Sequence, residues 1–319
     1  MQRPVEHESE SPVLVMRTDE DHRPGEVRVR QPGARHQEFP GETLVHAPIM
    51  PKDKNRGMPP RLPGDLGNAH PVAVCFRTVG KPFVIGHAAG AGEAPANTLA
   101  GVEVCLDARA EAIEIDLQLC ADGIPVLMHD ETVDRTTNLK GRVRRLTVDE
   151  LAEADAGQGE HVPTLDEVLE LVNGQMAVFC ELKATTGDER QDSRLVTAVI
   201  ETIVRFGAWD WTGVHSFRRD MVREARQLET RVSAAIISPP VRGGAVDQLL
   251  GAALKRNAQA ISLEHSCIQR DVVVRAKQRQ LTVWAWTADQ PAHWDALIEA
   301  GVDGIITNFP SRLRSYLDE

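Results

Sequence analysis

Short apolar runs of strand length alternate with amphipathic segments of helical length from residue 71 to the end of this chain. Repeated strand and helix units favour a parallel sheet. So many units in succession favour a closed (β/α)8 barrel, known as a TIM barrel, over an open doubly wound sheet. Nine strand-like runs compete for the eight places of such a barrel: FVIGH (83–87), AIEIDLQL (112–119), PVLMH (125–129), AVFCELK (177–183), GVHSF (213–217), VSAAIIS (232–238), AISLE (260–264), LTVWAWT (281–287) and DGIIT (303–307).

The first seventy residues have a different character. They are rich in Pro, Gly, Arg and Glu and show no sustained apolar period, which is typical of a segment that cannot bury a core. We therefore expect a long, irregular or disordered N-terminal arm over 1–70 and one barrel domain over 71–319. The chain has 319 residues and is 42% hydrophobic, which is enough for a barrel of ordinary size.

Charge and cysteine content limit the partners and the compartment. The net charge is -11 and no basic block rises above it, which argues against nucleic acid or an anionic membrane as a partner. The five cysteines are odd in number and widely spaced, as in proteins of a reducing compartment. No signal peptide or transmembrane run is recognisable. We expect a cytoplasmic protein, and the sequence does not indicate its oligomeric state.

Carboxylates in two of the strand-like runs form a candidate metal site. Glu114 and Asp116 are two positions apart in one run, so both side chains point to the same face, and Glu181 lies in another run. TIM barrels gather functional side chains at the carboxyl ends of their strands, where three carboxylates offer the oxygen ligands that suit Mg²⁺ or Ca²⁺. The alternative, an acidic pair on an exposed strand face, stays open.

Two histidines also close strand-like runs. His87 and His129 could flank a group held by the metal ion, one accepting a proton while the other donates it. Imidazole suits this role because it titrates near neutral pH. A histidine at a strand end can equally be a hydrogen-bonded structural residue, but two of them beside a carboxylate cluster favour catalysis.

Two further side chains could complete the site. Lys183 shares the face of Glu181 and would offer a positive charge to an anionic oxygen, or it could pair with a carboxylate. Trp286 would form an apolar or cation-binding wall, although Trp284 shares its face and either ring could be core packing. A metal-bound anion flanked by two histidines and one lysine fits phosphodiester cleavage better than sugar or acyl chemistry. No nucleophile-elbow, P-loop or dinucleotide-binding motif competes with this interpretation.

The most specific signature lies between residues 111 and 157. The run EAIEIDLQLCADGIPVLMHDETVDRTTNLKGRVRRLTVDELAEADAG, followed by VPTLDEVLELV, ELK, WTAD and GVDGIITNFP, strongly resembles the glycerophosphodiester phosphodiesterase family of the phosphatidylinositol phospholipase C-like barrel superfamily. The resemblance covers roughly residues 83–317. It implies a TIM barrel, a divalent metal ion and a phosphoric diester hydrolase that converts glycerophosphodiesters to glycerol 3-phosphate and an alcohol.

The resemblance also implies roles for the candidate residues. The small-molecule phosphodiester substrate would contact Lys183 and Trp286, and His87 and His129 would form the acid–base pair. The implied metal ligands are Glu114, Asp116 and Glu181.

The loop after the first strand departs from the family pattern. The family loop typically runs H-R-G-A and then A-P-E-N-T, whereas this chain has HAAG and then APANT. Ala88 therefore stands where the family has arginine, and Ala96 stands where it has glutamate. Losing a charged hydrogen bond to the phosphate should cost about 1.5–3 kcal/mol of binding. The resemblance thus implies an activity that is weakened or redirected, with the metal and histidine chemistry retained.

Three alternative functions stay open. Sphingomyelinase D-type phospholipases, which form a cyclic phosphate, also lack that arginine and resemble this chain at Asp289 and in the ending with Thr307, Asn308 and Pro310. A repurposed, non-catalytic barrel that binds a phosphorylated ligand would explain the two alanines. A lyase or transferase on the same scaffold would release its product without water.

Overall fold

The structure, a computed structural model, describes residues 80–319 and shows a TIM barrel. The predicted arm over 1–70 and the first residues of the predicted barrel domain lie outside the described residues. The predicted fold class is confirmed. In chain order the strands are β1 (Phe83–Gly86), β2 (Ala112–Leu119), β3 (Pro125–Leu127), β4 (Ala177–Leu182), β5 (Thr212–Ser216), β6 (Ser233–Ser238), β7 (Ala260–Glu264), β8 (Thr282–Trp286) and β9 (Gly304–Thr307).

The barrel closes because β1 pairs with both β2 and β9. Ile85 lies opposite Ala112 of β2, and Val84 lies opposite Ile305 of β9. All neighbouring strands of the barrel pair in parallel. A closed sheet has no unpaired edge, and this one brings the carboxyl ends of eight strands to a single rim.

The third strand-like run of the sequence forms a strand, but that strand is not part of the barrel wall. β3 runs antiparallel to β2, with Leu127 opposite Leu117 and Pro125 opposite Leu119. The connection from β2 to β3 spans only residues 120–124, which is too short for the crossover that a parallel neighbour requires. This third run therefore forms a hairpin with β2 and takes none of the eight places in the barrel wall.

Nine α-helices lie within residues 80–319. Two of them begin with a complete capping box, in which Thr147 or Thr164 exchanges hydrogen bonds with the glutamate three residues later. None of the helices in the described part of the chain is long and apolar enough to cross a lipid bilayer. The helices are α1 (Leu99–Asp107), α2 (Val148–Ala152), α3 (Leu165–Val172), α4 (Glu189–Phe206), α5 (Arg219–Leu228), α6 (Gly244–Lys255), α7 (Arg270–Gln278), α8 (Pro291–Ala300) and α9 (Pro310–Asp318).

The barrel interior is filled by two large rings among small side chains. Phe179 of β4 and Trp284 of β8 lie with ring centroids 4.2 Å apart. Small residues such as Ala112 of β2 and Ala235 of β6 belong to the same buried cluster and leave room for these rings. A larger apolar cluster packs between the strands and the surrounding helices. Trp284 is therefore a core residue, which leaves Trp286 as the tryptophan nearer the rim.

Candidate active site

Neighbouring strands place acidic and imidazole side chains in one row. Asp116 of β2 lies opposite Glu181 of β4, and Glu181 lies opposite His215 of β5. Glu114 precedes Asp116 by two residues and shares its face, because side chains alternate along a strand. All four residues are buried. The parallel register thus gathers three carboxylates and one histidine in one part of the barrel.

Three of these side chains form a candidate cation site. Ligand atoms of Glu114, Glu181 and His215 all lie within 4.8 Å of one another. Glu114 Oε1 is 3.5 Å from His215 Nε2 and is buried without a hydrogen-bond partner. A buried oxygen that lacks a partner is costly, and a cation would satisfy it. Two carboxylates and an imidazole are a suitable donor set for a divalent metal ion.

Glu114 is ionised in this environment. Burial opposes the negative charge, but the imidazoles of His215 and His87 and the ammonium of Lys183 outweigh burial and lower the pKa of Glu114 to about 2. The backbone N–H of Ala88 also donates to Glu114 Oε2 at 2.9 Å. Glu114 therefore offers a permanent negative charge to a cation at neutral pH.

Asp116 has close partners at both carboxylate oxygens. Lys183 Nζ lies 2.8 Å from Oδ1, and Asn97 Nδ2 donates to Oδ2 at 2.7 Å. The backbone N–H of Asp116 donates in turn to Asn97 Oδ1 at 3.0 Å. Asn97 therefore joins the 88–97 loop to β2, a role that the sequence analysis did not assign to it.

Lys183 connects two of the carboxylates. Its Nζ lies 2.7 Å from Glu181 Oε1 as well as 2.8 Å from Asp116. Burial would lower the pKa of Lys183, but Asp116, Glu181 and Glu114 outweigh burial and raise it. Burial raises the pKa of Glu181, and Lys183 only partly offsets the effect. The ammonium group of Lys183 is thus a fixed positive charge within the acidic cluster.

A strained turn presents His87 to this cluster. His87–Ala89 form one turn of 3-10 helix directly after β1, and Ala88 has φ 43° and ψ 45°, a left-handed conformation that alanine seldom adopts. Such strain costs about 1–3 kcal/mol. Two hydrogen bonds hold it in place: Ala88 N–H donates to Glu114, and its carbonyl accepts from the N–H of Asn97 at 2.8 Å.

A chain of hydrogen bonds from Asp289 through Asn308, near the C-terminal end of the barrel, fixes the orientation of His87. Asn308 donates to Asp289 Oδ2 through Nδ2 at 2.7 Å, so its Oδ1 must be the acceptor toward His87 Nδ1, 2.7 Å away. Nδ1 therefore carries a proton, and Nε2 of the neutral ring keeps its lone pair. Burial disfavours protonation of the ring, but Glu114, Asn308 and Asp116 outweigh burial and raise the pKa of His87.

His129 has a corresponding arrangement on the β2–β3 side. Its Nδ1 lies 2.7 Å from Asp130 Oδ1, and Arg135 Nε donates to Asp130 Oδ2 at 2.6 Å. Arg135 and His129 lower the pKa of Asp130 to about 2. The Asp130 carboxylate can therefore stabilise a positive charge on the imidazole ring of His129.

Both histidines line one cleft. The cleft has a volume of about 240 Å³, and Asp116 and Arg135 line it together with His87 and His129. Trp286 is not among the lining residues described for this cleft. Its Nε1 donates to the carbonyl of Ser262 at 3.1 Å, and its ring meets Phe217 edge to face with centroids 5.6 Å apart. The structure thus brings six of the seven predicted site residues into one connected group and leaves Trp286 at the barrel rim.

The sequence analysis assigned no partner to His215. The residue lies inside a predicted strand, GVHSF, so its position on the strand could be foreseen. Its neighbours could not be foreseen, because they depend on the register between β4 and β5. Asp289 and Asn308 entered the sequence analysis only through a resemblance, and the structure gives them a physical connection to His87.

Comparisons with known proteins show the family of this chain. The model of the glycerophosphoryl diester phosphodiesterase family matches residues 87–312. A glycerophosphodiester phosphodiesterase of Caldanaerobacter subterraneus is 30% identical over 240 residues, which cover 73% of this chain and 96% of that protein. YhdW of Bacillus subtilis is 31% identical over 238 residues, which cover 72% of this chain and 95% of that protein.

A solved structure is similar over the same region. A phosphodiesterase from Oleispira antarctica, in complex with the product sn-glycerol-3-phosphate, superposes with a TM-score of 0.67 at 25% identity. The match covers 75% of this chain and 98% of that one.

Proposed function

Because this chain belongs to the glycerophosphodiester phosphodiesterase family, we propose that it hydrolyses glycerophosphodiesters to glycerol 3-phosphate and an alcohol. It is thus a phosphoric diester hydrolase. The observation that carries this proposal is the common cleft of His87 and His129 beside the buried acidic residue Asp116. A phosphodiester needs a proton acceptor on one side of phosphorus and a proton donor on the other, and this cleft offers both.

A divalent metal ion fits the acidic cluster. We propose Mg²⁺ or Ca²⁺, held by Glu114, Asp116 and Glu181, with His215 as a further donor beside them. The unpartnered Oε1 of Glu114 and the close approach of Glu114, Glu181 and His215 support these three residues. Asp116 is included because it lies directly opposite Glu181 in the sheet. When bound, the ion supplies a positive charge that stabilises the negative charge developing on the phosphate oxygens.

The protein side chains supply the proton transfers. The Nε2 atom of His87 carries a lone pair when the ring is neutral, so it can accept a proton from the attacking hydroxyl group of the substrate. The bond from phosphorus to the alcohol oxygen then breaks, and protonated His129 donates its proton to that oxygen. A cyclic phosphate formed in this way is opened by water, with the two histidines in reversed roles. Lys183 adds a positive charge near the phosphate. The proposed contact of Trp286 with the substrate would be made at the barrel rim, outside the cleft.

Two further considerations concern the compartment in which the protein works and the metabolism to which its reaction belongs. The described cysteines are all free and buried, which fits our proposal that the protein works in the reducing cytoplasm. Glycerophosphodiesters are what remains of phospholipids when their acyl chains are removed. We therefore assign the protein to the metabolism of lipid-derived phosphodiesters.

The test is release of glycerol 3-phosphate from glycerophosphodiesters by the purified full chain with Mg²⁺ or Ca²⁺. We expect His129→Ala to lower kcat by about 10²–10⁴-fold while metal binding is unchanged. His161→Ala is the matched control, because His161 Nε2 pairs with Glu167 outside the cleft, and it should retain full activity.

The outcomes distinguish this function from its alternatives. Phosphorus NMR should show an open glycerol phosphate as the final product. Accumulation of cyclic phosphate would indicate a lyase instead. Failure of every glycerophosphodiester with either metal, while the protein still binds the ion, would indicate a binding protein and would overturn the proposal.

A further inference from the structure

One side of the catalytic cleft is apolar. Leu127, Met128 and Val162 lie buried beneath its surface. Small side chains complete this apolar lining: Ala88, Ala96 and Ala156. Two polar side chains also line the cleft, but Asn97 is hydrogen-bonded to Asp116 and the Thr136 hydroxyl group contacts the sulfur of Met128. The two alanines that the sequence analysis singled out, Ala88 and Ala96, thus line the same cleft as the two histidines. We call this surface the alanine wall.

The charged side chains around the cleft differ in how accessible they are to a ligand. Asp116 is almost completely buried, and Lys183 and Asn97 already contact its two oxygens. Arg135 pairs with Asp130, yet its side chain remains 64% exposed. Because Asp130 balances the charge of Arg135, this pair neither attracts nor repels an amine strongly. The alanine wall itself carries no carboxylate, so an amine-bearing group would gain no ion pair from it.

We propose that the alanine wall binds the alcohol half of the substrate and that this alcohol is uncharged and apolar. The inference rests on the proposed function and adds a substrate class to it. The cleft has a volume of about 240 Å³. A short alkyl chain suits such a space, and burying its methylene groups favours binding.

The glycerol half of the substrate would bind the alanine wall less favourably than an apolar alcohol would. Its hydroxyl groups would lose hydrogen bonds to water and gain none from methyl groups, which is unfavourable. Polar groups are available elsewhere in the site, at the acidic cluster and Lys183. The phosphorus atom lies between the two histidines in the proposed reaction, so the two ester arms are directed to different surfaces.

The experiment compares three diesters that differ only in their alcohol: glycerophosphobutanol, glycerophosphoglycerol and glycerophosphoethanolamine. Butanol is apolar, glycerol is polar and uncharged, and ethanolamine is cationic. We expect kcat/KM for the butanol ester to exceed each of the others by about tenfold or more. Comparable values for all three would show that the wall does not select, and a preference for ethanolamine would overturn the inference.

A variant tests the wall directly. Ala96→Glu places a carboxylate on it, and we expect kcat/KM for the ethanolamine ester to rise about tenfold relative to the butanol ester. Ala245→Glu is the matched control, because Ala245 is exposed at α6 and does not line the cleft. It adds the same charge and should leave the ratio unchanged.

The failure of this inference is distinguishable from failure of the proposed function. If no ester is cleaved, the enzymatic assignment falls. If all are cleaved without the expected order, only the selectivity of the alanine wall falls. The order in the unmodified protein decides the matter even if Ala96→Glu does not fold.

Discussion

At the scale of single residues, an amide group decides which nitrogen of His87 faces the substrate. Asp289 accepts hydrogen bonds from the backbone N–H of Asn308 at 2.9 Å and from its side chain at 2.7 Å. The amide cannot turn over without bringing its oxygen against the Asp289 carboxylate. Asp289 is therefore a positioning residue that acts through Asn308.

Replacing this carboxylate should separate catalysis from binding. In Asp289→Asn the new amide can donate as well as accept, so Asn308 is no longer held in one orientation and His87 loses its fixed tautomer. We expect kcat to fall about 10–100-fold with little change in KM, and the pH dependence of kcat to shift. Steady-state kinetics across a pH series measure both.

Asp295→Asn provides the control for that variant. Asp295 is exposed on α8 and accepts a hydrogen bond from the hydroxyl group of Tyr316, away from His87. Its replacement should leave kcat and the pH profile as they are. A rise in KM alone in Asp289→Asn, with kcat retained, would contradict the positioning role.

Single residues also show where sequence reasoning reaches its limit. The alternation of side chains along a strand was sufficient to put Glu114 and Asp116 on one face, because that spacing is local. The contact between Glu114 and His215 depends on how three strands align, and no local pattern encodes that alignment. The arrangement of Asn308 and His87 spans 221 positions of the sequence and was equally out of reach.

At the scale of elements, the sequence predicted the strands better than their directions. The run at 125–129 has the composition of a strand and forms one, β3. Apolar character does not distinguish a parallel from an antiparallel strand, and so nine candidates competed for eight places. The short connection over residues 120–124 was the available signal, since it cannot contain a crossover.

Helix α1 approaches the His87 turn so closely that only glycine fits at one position. A Cβ atom on Gly101 would lie 2.2 Å from the carbonyl oxygen of Ala89. Gly101→Ala should therefore displace the turn and destabilise the protein by about 1–3 kcal/mol. Urea denaturation measures the loss, and kcat should fall as well because His87 belongs to the displaced turn.

Gly251 of α6 is the matched control, since a Cβ atom there meets nothing within 4 Å. Gly251→Ala should stabilise the protein by up to about 1 kcal/mol through helix propensity alone. Equal effects of the two substitutions would show that the contact between α1 and the turn is not as close as described.

At the scale of the whole molecule, the last helix secures the seam where the barrel closes. Arg314 of α9 pairs with Glu111 at 2.5 Å, and Glu111 also accepts the backbone N–H of Val84 in β1 at 2.8 Å. Leu313 and Leu317 of the same helix are buried in the large apolar cluster. The last helix thus holds the first strand, and β1 in turn pairs with β9.

Loosening this seam should destabilise the entire barrel. We expect Leu313→Ala to lower the free energy of unfolding by about 2–5 kcal/mol, with tryptophan fluorescence and circular dichroism changing in one common transition. Leu254→Ala, at a side chain 46% exposed on α6, should change it by no more than about 0.5 kcal/mol. Separate transitions for the two probes in Leu313→Ala would mean that the barrel unfolds in parts.

The position of the β2–β3 hairpin has a consequence for how this fold can diversify. Residues 120–164 add no strand to the barrel wall, yet they carry His129, Arg135 and much of the apolar surface that faces the reaction. This one continuous segment could therefore be exchanged between relatives. The exchange would change which alcohol is preferred, while the barrel and its acidic cluster would stay the same.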